Sequence, residues 1–382
     1  MRATITRSSP VVRTARTMQL EGIFDMPPSE RSEQTWQVSL PVEERPWNVG
    51  LVVGPSGTGK STLVRDLFPD ALVDGHEWPA DKSVVDGFPA DMGIRDVVAL
   101  LSSVGFSSPP AWLRPFGVLS NGEQFRATVA RALAEARDGL VVLDEFTSVV
   151  DRTVAQIGSA AIAKTVRARG SQLIAATCHY DVEEWLQPDW VYQPHLGEFT
   201  WRSVQPRPTI ELRVERCHTE AWRLFGPHHY LDDALNRAAT CFVGFWQDHP
   251  VVFLAVLPFP HAQLKNAYRA HRLVTLPDYQ GVGIGNAFCD YLSGVYKAAG
   301  RRLYVTTAHP ARVGTLARNP LWRMGRKPSM TSANDKNKSM GKGHASTRFT
   351  ASFEYVGPPQ NDSPLLAELN APSARLAAKM KR

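Results

Sequence analysis

The sequence predicts two domains, an α/β domain followed by an α+β domain with a mainly antiparallel sheet. Three observations predict this. Apolar strands in the first half run into glycine-rich or acidic loops, and from Thr209 the pattern changes to alternating strands joined by short turns. Charge divides along the same line: residues 1–200 hold 18 Lys and Arg against 25 Asp and Glu, net −7, whereas residues 201–382 hold 25 against 12, net +13. A chain of 382 residues that is 43% hydrophobic is long enough for two well-buried cores.

Composition narrows the setting. The longest apolar run, Val251 to Leu257, is far shorter than the roughly 20 residues a membrane-spanning helix needs, so no membrane partner is expected. Cys178, Cys217, Cys241 and Cys289 have no CxxC spacing, which argues against a disulfide framework or a structural zinc and fits a reducing cytoplasm. Residues 1–20 carry four arginines and no acid, and are expected to be a disordered extension.

The stretch "VGLVVGPSGTGKSTLVRDLF" places an apolar strand before GxxxxGKS and an amphipathic helix after it, the context in which a Walker A match is meaningful. Gly54, Ser56, Gly57, Thr58, Gly59, Lys60, Ser61 and Thr62 form the expected phosphate-binding set. The glycines let backbone N–H groups turn inward at a helix N-terminus, Lys60 reaches the β- and γ-phosphates, and Ser61 ligates Mg²⁺. "GLVVLDEFTS" is a strand ending in two acids, a Walker B arrangement. Asp144 is expected to hold Mg²⁺ and Glu145 to orient and deprotonate the attacking water.

Between these motifs lies "LSNGEQFRATVARAL", and after them come "SVVD" at 148–151 and "ATCHYD" around His179. Phosphate loop, signature, Walker B, D-loop and switch histidine, in that order, resemble the ABC-type ATPases over about residues 21–200. The resemblance implies ATP and Mg²⁺ as cofactors and His179 as a γ-phosphate sensor. Ser120 and Gly122 would contact the γ-phosphate bound by a second protomer, giving a homodimer closed by an ATP sandwich. Phe24 or Trp36 would offer an aromatic platform for adenine. Two departures stand out: Asn121 replaces the usual glycine, and no glutamine occurs from Ser61 to Val118. Asp86 in "SVVDGFP" is the expected substitute ligand to Mg²⁺ or water. The lost Q-loop glutamine and the short segment between phosphate loop and signature argue for a non-transport role.

In the second half, "TIELRVERC" reads as a strand, "HTEAWRLF" as a helix, and "CFVGFW" and "VVFLAVLPF" as two strands around "QDHP". "AYRAHRLVTLP" gives a further strand, "GNAFCDYLSGVYKAAG" a helix and "RRLYVTTAHP" another strand, so an antiparallel sheet with one central βαβ crossover is implied. This succession resembles the GNAT acyltransferase fold. Its pattern Q/R-x-x-G-x-G/A is filled by Gln280, Gly283 and Gly285, with Gly281 as an extra glycine. The resemblance implies that these residues bind the pyrophosphate of acyl-coenzyme A through backbone N–H groups and the field of a helix N-terminus. The family's usual thiolate-protonating tyrosine is missing from "PARVGTLARNPLWRM". His309, at the strand end before it, is the catalytic candidate instead.

"FGPHHYLDDALNRAA" at 225–239 concentrates His228, His229 and Tyr230. Two imidazoles and a phenol supply acid–base groups, with Tyr230 as a further catalytic candidate, or nitrogen ligands for a transition metal at His228 and His229. The HHY segment in this layout resembles the phage Mom-type DNA-modification proteins. With the basic second half it points to nucleic acid as a partner, contacted by arginines such as Arg269, Arg272, Arg302, Arg312 and Arg323, with Trp322 as a stacking surface.

The expected organisation is therefore an extension at 1–20, an ABC-type P-loop NTPase domain at 21–200 and a GNAT-like domain at 205–327. A mobile basic linker at 328–347, a last strand of the second sheet at 348–357 and a tail at 358–382 complete it.

Overall fold

The structure, a computed structural model, describes residues 1–73, 75–137, 139–229, 234–260, 263–330 and 349–370. The chain forms two compact units and passes between them more than once. One comprises Met1–His76, Ala136–Val149 and Ala163–Arg207; the other comprises Glu77–Glu135, Val150–Ile162 and Pro208–Arg382. In chain order the first unit begins with β1 (Arg2–Pro10), α1 (Ala15–Ile23), β2 (Arg31–Ser39), β3 (Val49–Val53) and α2 (Lys60–Leu67). The chain then contributes α3 (Ile94–Ser103), α4 (Pro109–Trp112) and α5 (Asn121–Glu135) to the second unit, and returns for β4 (Leu140–Leu143). Helix α6 (Arg152–Arg169) belongs to both units, and β5 (Gln172–Thr177), α7 (Glu183–Leu186), β6 (Trp190–Gln193) and β7 (Glu198–Trp201) complete the first.

The first unit is built on a five-stranded sheet of order β4-β5-β3-β6-β7. Strands β3, β4, β5 and β6 run parallel and only β7 is antiparallel. All five residues of β3 are buried, as a strand covered on both faces requires. Trp190 and Tyr192 of β6 pack with Val52, Leu63, Val142 and Ile174 in the core. The parallel arrangement fixes the site, because loops leaving the C-terminal ends of parallel strands emerge at one end of the sheet.

Residues 1–20 are not a loose extension. β1 pairs with β2 in an antiparallel hairpin that sets Ile5 opposite Trp36. Ile5 and Val38 are buried with β3, α2 and β6 side chains. Only Ile5 among the side chains of β1 is fully buried, so the strand has almost no apolar alternation by which the sequence reveals it.

The second unit adds β8 (Arg213–Cys217), α8 (Trp222–Phe225), β9 (Thr240–Trp246), β10 (His249–Pro258) and β11 (Ala267–Thr275). It continues with α9 (Ile284–Ala298), β12 (Arg302–Thr307), α10 (Pro310–Arg318), β13 (Trp322–Met330), β14 (Phe349–Tyr355) and α11 (Leu365–Asn370). Its seven strands are ordered β13-β14-β12-β11-β10-β9-β8. One parallel pair, β11 with β12, is joined by α9; every other pairing is antiparallel. That parallel ladder covers three residue pairs only, Ala267–Arg302 to Arg269–Tyr304, and β11 continues beyond it to Thr275. The expected mobile linker lies almost wholly outside the described residues.

The last crossing between the units falls at Arg207 and Pro208, beside the boundary expected near residues 200–205, but it is not the first. Residues 77–135 and 150–162, which follow the phosphate loop and flank Walker B, group with the C-terminal sheet rather than with the five-stranded one. Contacts distant in sequence, such as those of Gln280 described below, draw them there.

Candidate functional site

In the first unit the loop between β3 and α2 carries the phosphate-loop sequence. Gly57 and Gly59 take left-handed backbone conformations, φ 80° and 90°, and Gly59 is the N-cap of α2. Ser56 and Gly57 are exposed at the loop tip, and the space beside Gly57 is open. Lys60 Nζ donates to the carbonyls of Gly54 at 2.8 Å and Pro55 at 2.7 Å, and Thr58 Oγ1 donates to Pro55 O at 2.9 Å. Trp36 Nε1 donates to Thr58 O at 2.9 Å, and its ring lies against Gly59, where a Cβ would come within 2.4 Å of it.

Ser61 Oγ donates to Asp144 Oδ1 at 3.0 Å, joining the first turn of α2 to the end of β4. A hydroxyl and a carboxylate oxygen in contact are hard ligands of the kind Mg²⁺ takes, and the lysine and helix N-terminus beside them suit a phosphate chain. The residues present therefore fit a magnesium-bound nucleotide. Glu145 is exposed and held at φ 48°, with its backbone N–H donating to Asp144 Oδ1 at 2.9 Å; Thr147 follows at φ 67°. Two non-glycine residues in the left-handed region within three positions mark a constrained turn of the sort found at functional sites. His179 follows β5, its backbone N–H donating to Thr177 Oγ1 at 3.1 Å.

The sequence reading overlooked His195, which follows β6. Its Nδ1 approaches Gly54 so closely that a Cβ there would lie 2.9 Å from it. The available signal was positional: β6 is the fourth parallel strand, and its C-terminal loop emerges beside those after β3, β4 and β5.

In the second unit Ser120 starts α5 with a capping box. Its backbone N–H and hydroxyl donate to Glu123 Oε2 at 2.9 and 3.0 Å, and Glu123 N–H donates to Ser120 Oγ at 3.3 Å. Ser120 is exposed, whereas Gly122 is buried against Val154. Asp86 is occupied in a similar way: its Oδ2 accepts from the backbone N–H of Ser83 at 3.2 Å and from the Ser83 hydroxyl, capping a short 3-10 turn. The metal role expected of Asp86 competes with that capping bond.

The glycine loop before α9 divides in two. Gly283, the N-cap at φ 95°, has open space beside it, and Gly285 faces Thr275 Oγ1. Gln280 and Gly281 do not face open space. Gln280 Oε1 accepts from Ser107 N–H at 2.7 Å and its Nε2 donates to Thr275 O at 2.8 Å, while a Cβ on Gly281 would meet Ala161 at 2.6 Å and Gly105 at 2.8 Å.

The remaining candidates are scattered. Tyr230 lies outside the described residues. His229 packs its ring against Trp222, with centroids 5.6 Å apart, and His228 ends the short 3-10 turn Gly226–His228. Among the described residues no three His, Cys, Asp or Glu side chains gather into a metal site. His309 caps α10 with its ring 6.0 Å from Trp112; burial, and then Arg312, lowers its pKa. Trp322 is no stacking surface: it is 5% exposed and its Nε1 donates to Asp290 Oδ1 at 2.6 Å. Arg272 is buried, and Arg302 and Arg323 both pair with Glu354. Among the described residues no helix is long and apolar enough to cross a membrane.

Neither protein-family models nor characterised protein sequences match the chain. Solved structures similar to it include the post-hydrolysis dimer of the ATP-binding cassette MJ0796 bound to ADP and Pi. That likeness has 16% identity over 44% of this chain and 93% of that one, with a TM-score of 0.35. The ADP conformation of MJ1267, an ATP-binding cassette of an ABC transporter, is similar at 16% identity over 52% and 90%, TM-score 0.32. An inward-facing putative metal-chelate type ABC transporter is similar at 15% over 49% and 85%, TM-score 0.34.

Proposed function

We propose that the protein is an ABC-type ATPase that binds and hydrolyses ATP with Mg²⁺ and closes as a homodimer around it. The observation that carries this reading is the contact of Ser61 Oγ with Asp144 Oδ1 beneath a loop that ends in Lys60. In this mechanism Lys60 and the loop amides would bind the phosphates, and Ser61 and Asp144 would hold a magnesium ion, whose chemistry is to offset negative charge on the phosphate chain. Glu145 takes a proton from the attacking water, and His179 orients toward the γ-phosphate. Ser120 and Gly122 meet the nucleotide of the other protomer. Phosphate release by the purified chain, compared with Lys60→Ala, tests the reading; equal release by both proteins overturns it.

For residues 205–327 we propose a GNAT-like domain that acts on nucleic acid or transfers an acyl group. Support comes from the single parallel pair β11 and β12, joined through the glycine loop and α9, whose ladder ends after three residue pairs. The part of the loop with open space for a phosphorylated ligand such as acyl-coenzyme A is then Gly283.

A second reading, an ATP-switched binding module with no chemistry of its own, is favoured by the engagement of Gln280 and Gly281 in protein contacts and of His309 with Trp112. Nucleoside mass spectrometry on DNA from cells expressing the chain separates the two. A new nucleoside, lost in His309→Ala, supports modification. Unchanged nucleosides together with ATP- and salt-dependent DNA binding support the module.

A further inference from the structure

Within the second unit, the loop at 278–281 is gripped by α5, which begins at the signature serine, by Ala161 of α6 and by the turn after α3. Arg126 sits one and a half turns into α5 and is 1% exposed. Its Nη2 donates to the carbonyl of Asp278 at 3.3 Å, and its Nη1 lies 3.6 Å from the position a Gly122 Cβ would occupy. One guanidinium thus lies beside the signature glycine and bonds the glycine loop of the C-terminal sheet. Asp278, Glu123 and Asp151 surround it; burial lowers the Arg126 pKa and those three acids, Asp278 foremost, resist that. Burial in turn raises the Asp278 pKa against the pull of Arg126.

Two further contacts lock the same loop. The Gln280 side chain bridges Ser107 N–H, just beyond α3, to Thr275 O at the end of β11. Gly105 and Gly281 meet backbone to backbone: a Cβ on Gly105 would lie 2.8 Å from Gln280 O, and one on Gly281 would lie 2.8 Å from Gly105 Cα. Both glycines have positive φ, 90° and 93°, so neither position tolerates a larger residue without strain. Arg126 ties α5 to this loop, so a shift of the first turns of α5 must either carry the loop with it or strand a buried cation and break its bond to Asp278 O.

We propose that Arg126 and the Asp278–Gly281 loop form the coupling element through which nucleotide engagement at the signature helix is transmitted to the N-terminus of α9. The inference rests on the ATPase reading above. Arg126 is a positioning residue: it acts on the site through Gly122 and Asp278. Because coupling is reciprocal, a ligand held at Gly283 alters ATP affinity by the same factor.

Hydrogen–deuterium exchange on the full chain, with and without magnesium and a non-hydrolysable ATP analogue, tests it. The expected result is protection of residues 54–61 together with a change of about fivefold or more in exchange across 276–286. In Gln280→Ala and Arg126→Lys, protection of 54–61 persists while the change at 276–286 is lost. Exchange at 276–286 that ignores the nucleotide while 54–61 is protected overturns the coupling and leaves the ATPase reading standing. A full response at 276–286 in both variants overturns it equally. No protection at 54–61 overturns the ATPase reading and this inference with it.

Discussion

The hydroxyl of Ser61 donates to the carboxylate of Asp144 across 3.0 Å, bringing together residues that lie 83 positions apart. β3 and β4 are not neighbours; β5 lies between them, and all three run parallel. The loops after β3 and β4 therefore open at the same end of the sheet. In the proposed site this pair is the metal clamp. Ser61→Ala and Asp144→Asn are each expected to lower magnesium-dependent phosphate release about a hundredfold while leaving the fold intact, because neither residue is part of the hydrophobic core. Release measured across a magnesium titration checks this.

Glu145 is exposed, and its left-handed backbone is anchored by the Asp144 carboxylate rather than by its own side chain. Glu145→Gln is therefore expected to keep the turn and lose the base. Hydrolysis should fall by about two orders of magnitude or more, and an ATP-bound dimer should accumulate. Light scattering at saturating ATP reads this directly, and a monomer there counts against the sandwich.

Gly57 and Gly59 share a left-handed backbone but differ in surroundings. A Cβ on Gly59 meets the Trp36 ring within 2.4 Å, whereas one on Gly57 meets nothing within 4 Å. Gly59→Ala is expected to add displacement of Trp36 from Thr58 to a backbone cost of about 1–3 kcal/mol, and to abolish nucleotide binding. Gly57→Ala carries the backbone cost alone. Thermal melts and fluorescent-nucleotide titration of both variants distinguish the two terms.

Cys217 and Cys241 are cross-strand partners on β8 and β9, and burial pushes both thiols up to about 12. Unfolded thiols lose their protons near pH 8.5, so between about pH 8.5 and 12 the folded state binds more protons than the unfolded one and stability falls as pH rises. The denaturation midpoint is expected to drop across that window, and by less in Cys241→Ala. Below it, exposed Cys178 is the thiol that a disulfide reagent labels first.

The strands around the phosphate loop and Walker B were legible because each is a short apolar run feeding directly into its polar motif, so chemistry and periodicity coincide in adjacent residues. The strands and helices of the second half were legible for the same local reason. β1 was not, because one buried residue, Ile5, makes no pattern. His195 was not, because its closeness to Gly54 comes from the order of strands rather than from anything near it in the chain.

The sequence by itself determined the local turns, the glycine conformations and the identity of the polar groups, since these depend on residues within a few positions of one another. Tertiary structure alone decided which glycines face open space and which face protein. Gly281 and Gly283 stand two residues apart with nearly the same φ, yet one rests on Gly105 and Ala161 and the other on nothing. The difference lies in segments more than a hundred residues away, and packing between distant segments leaves no periodicity in the chain that carries it.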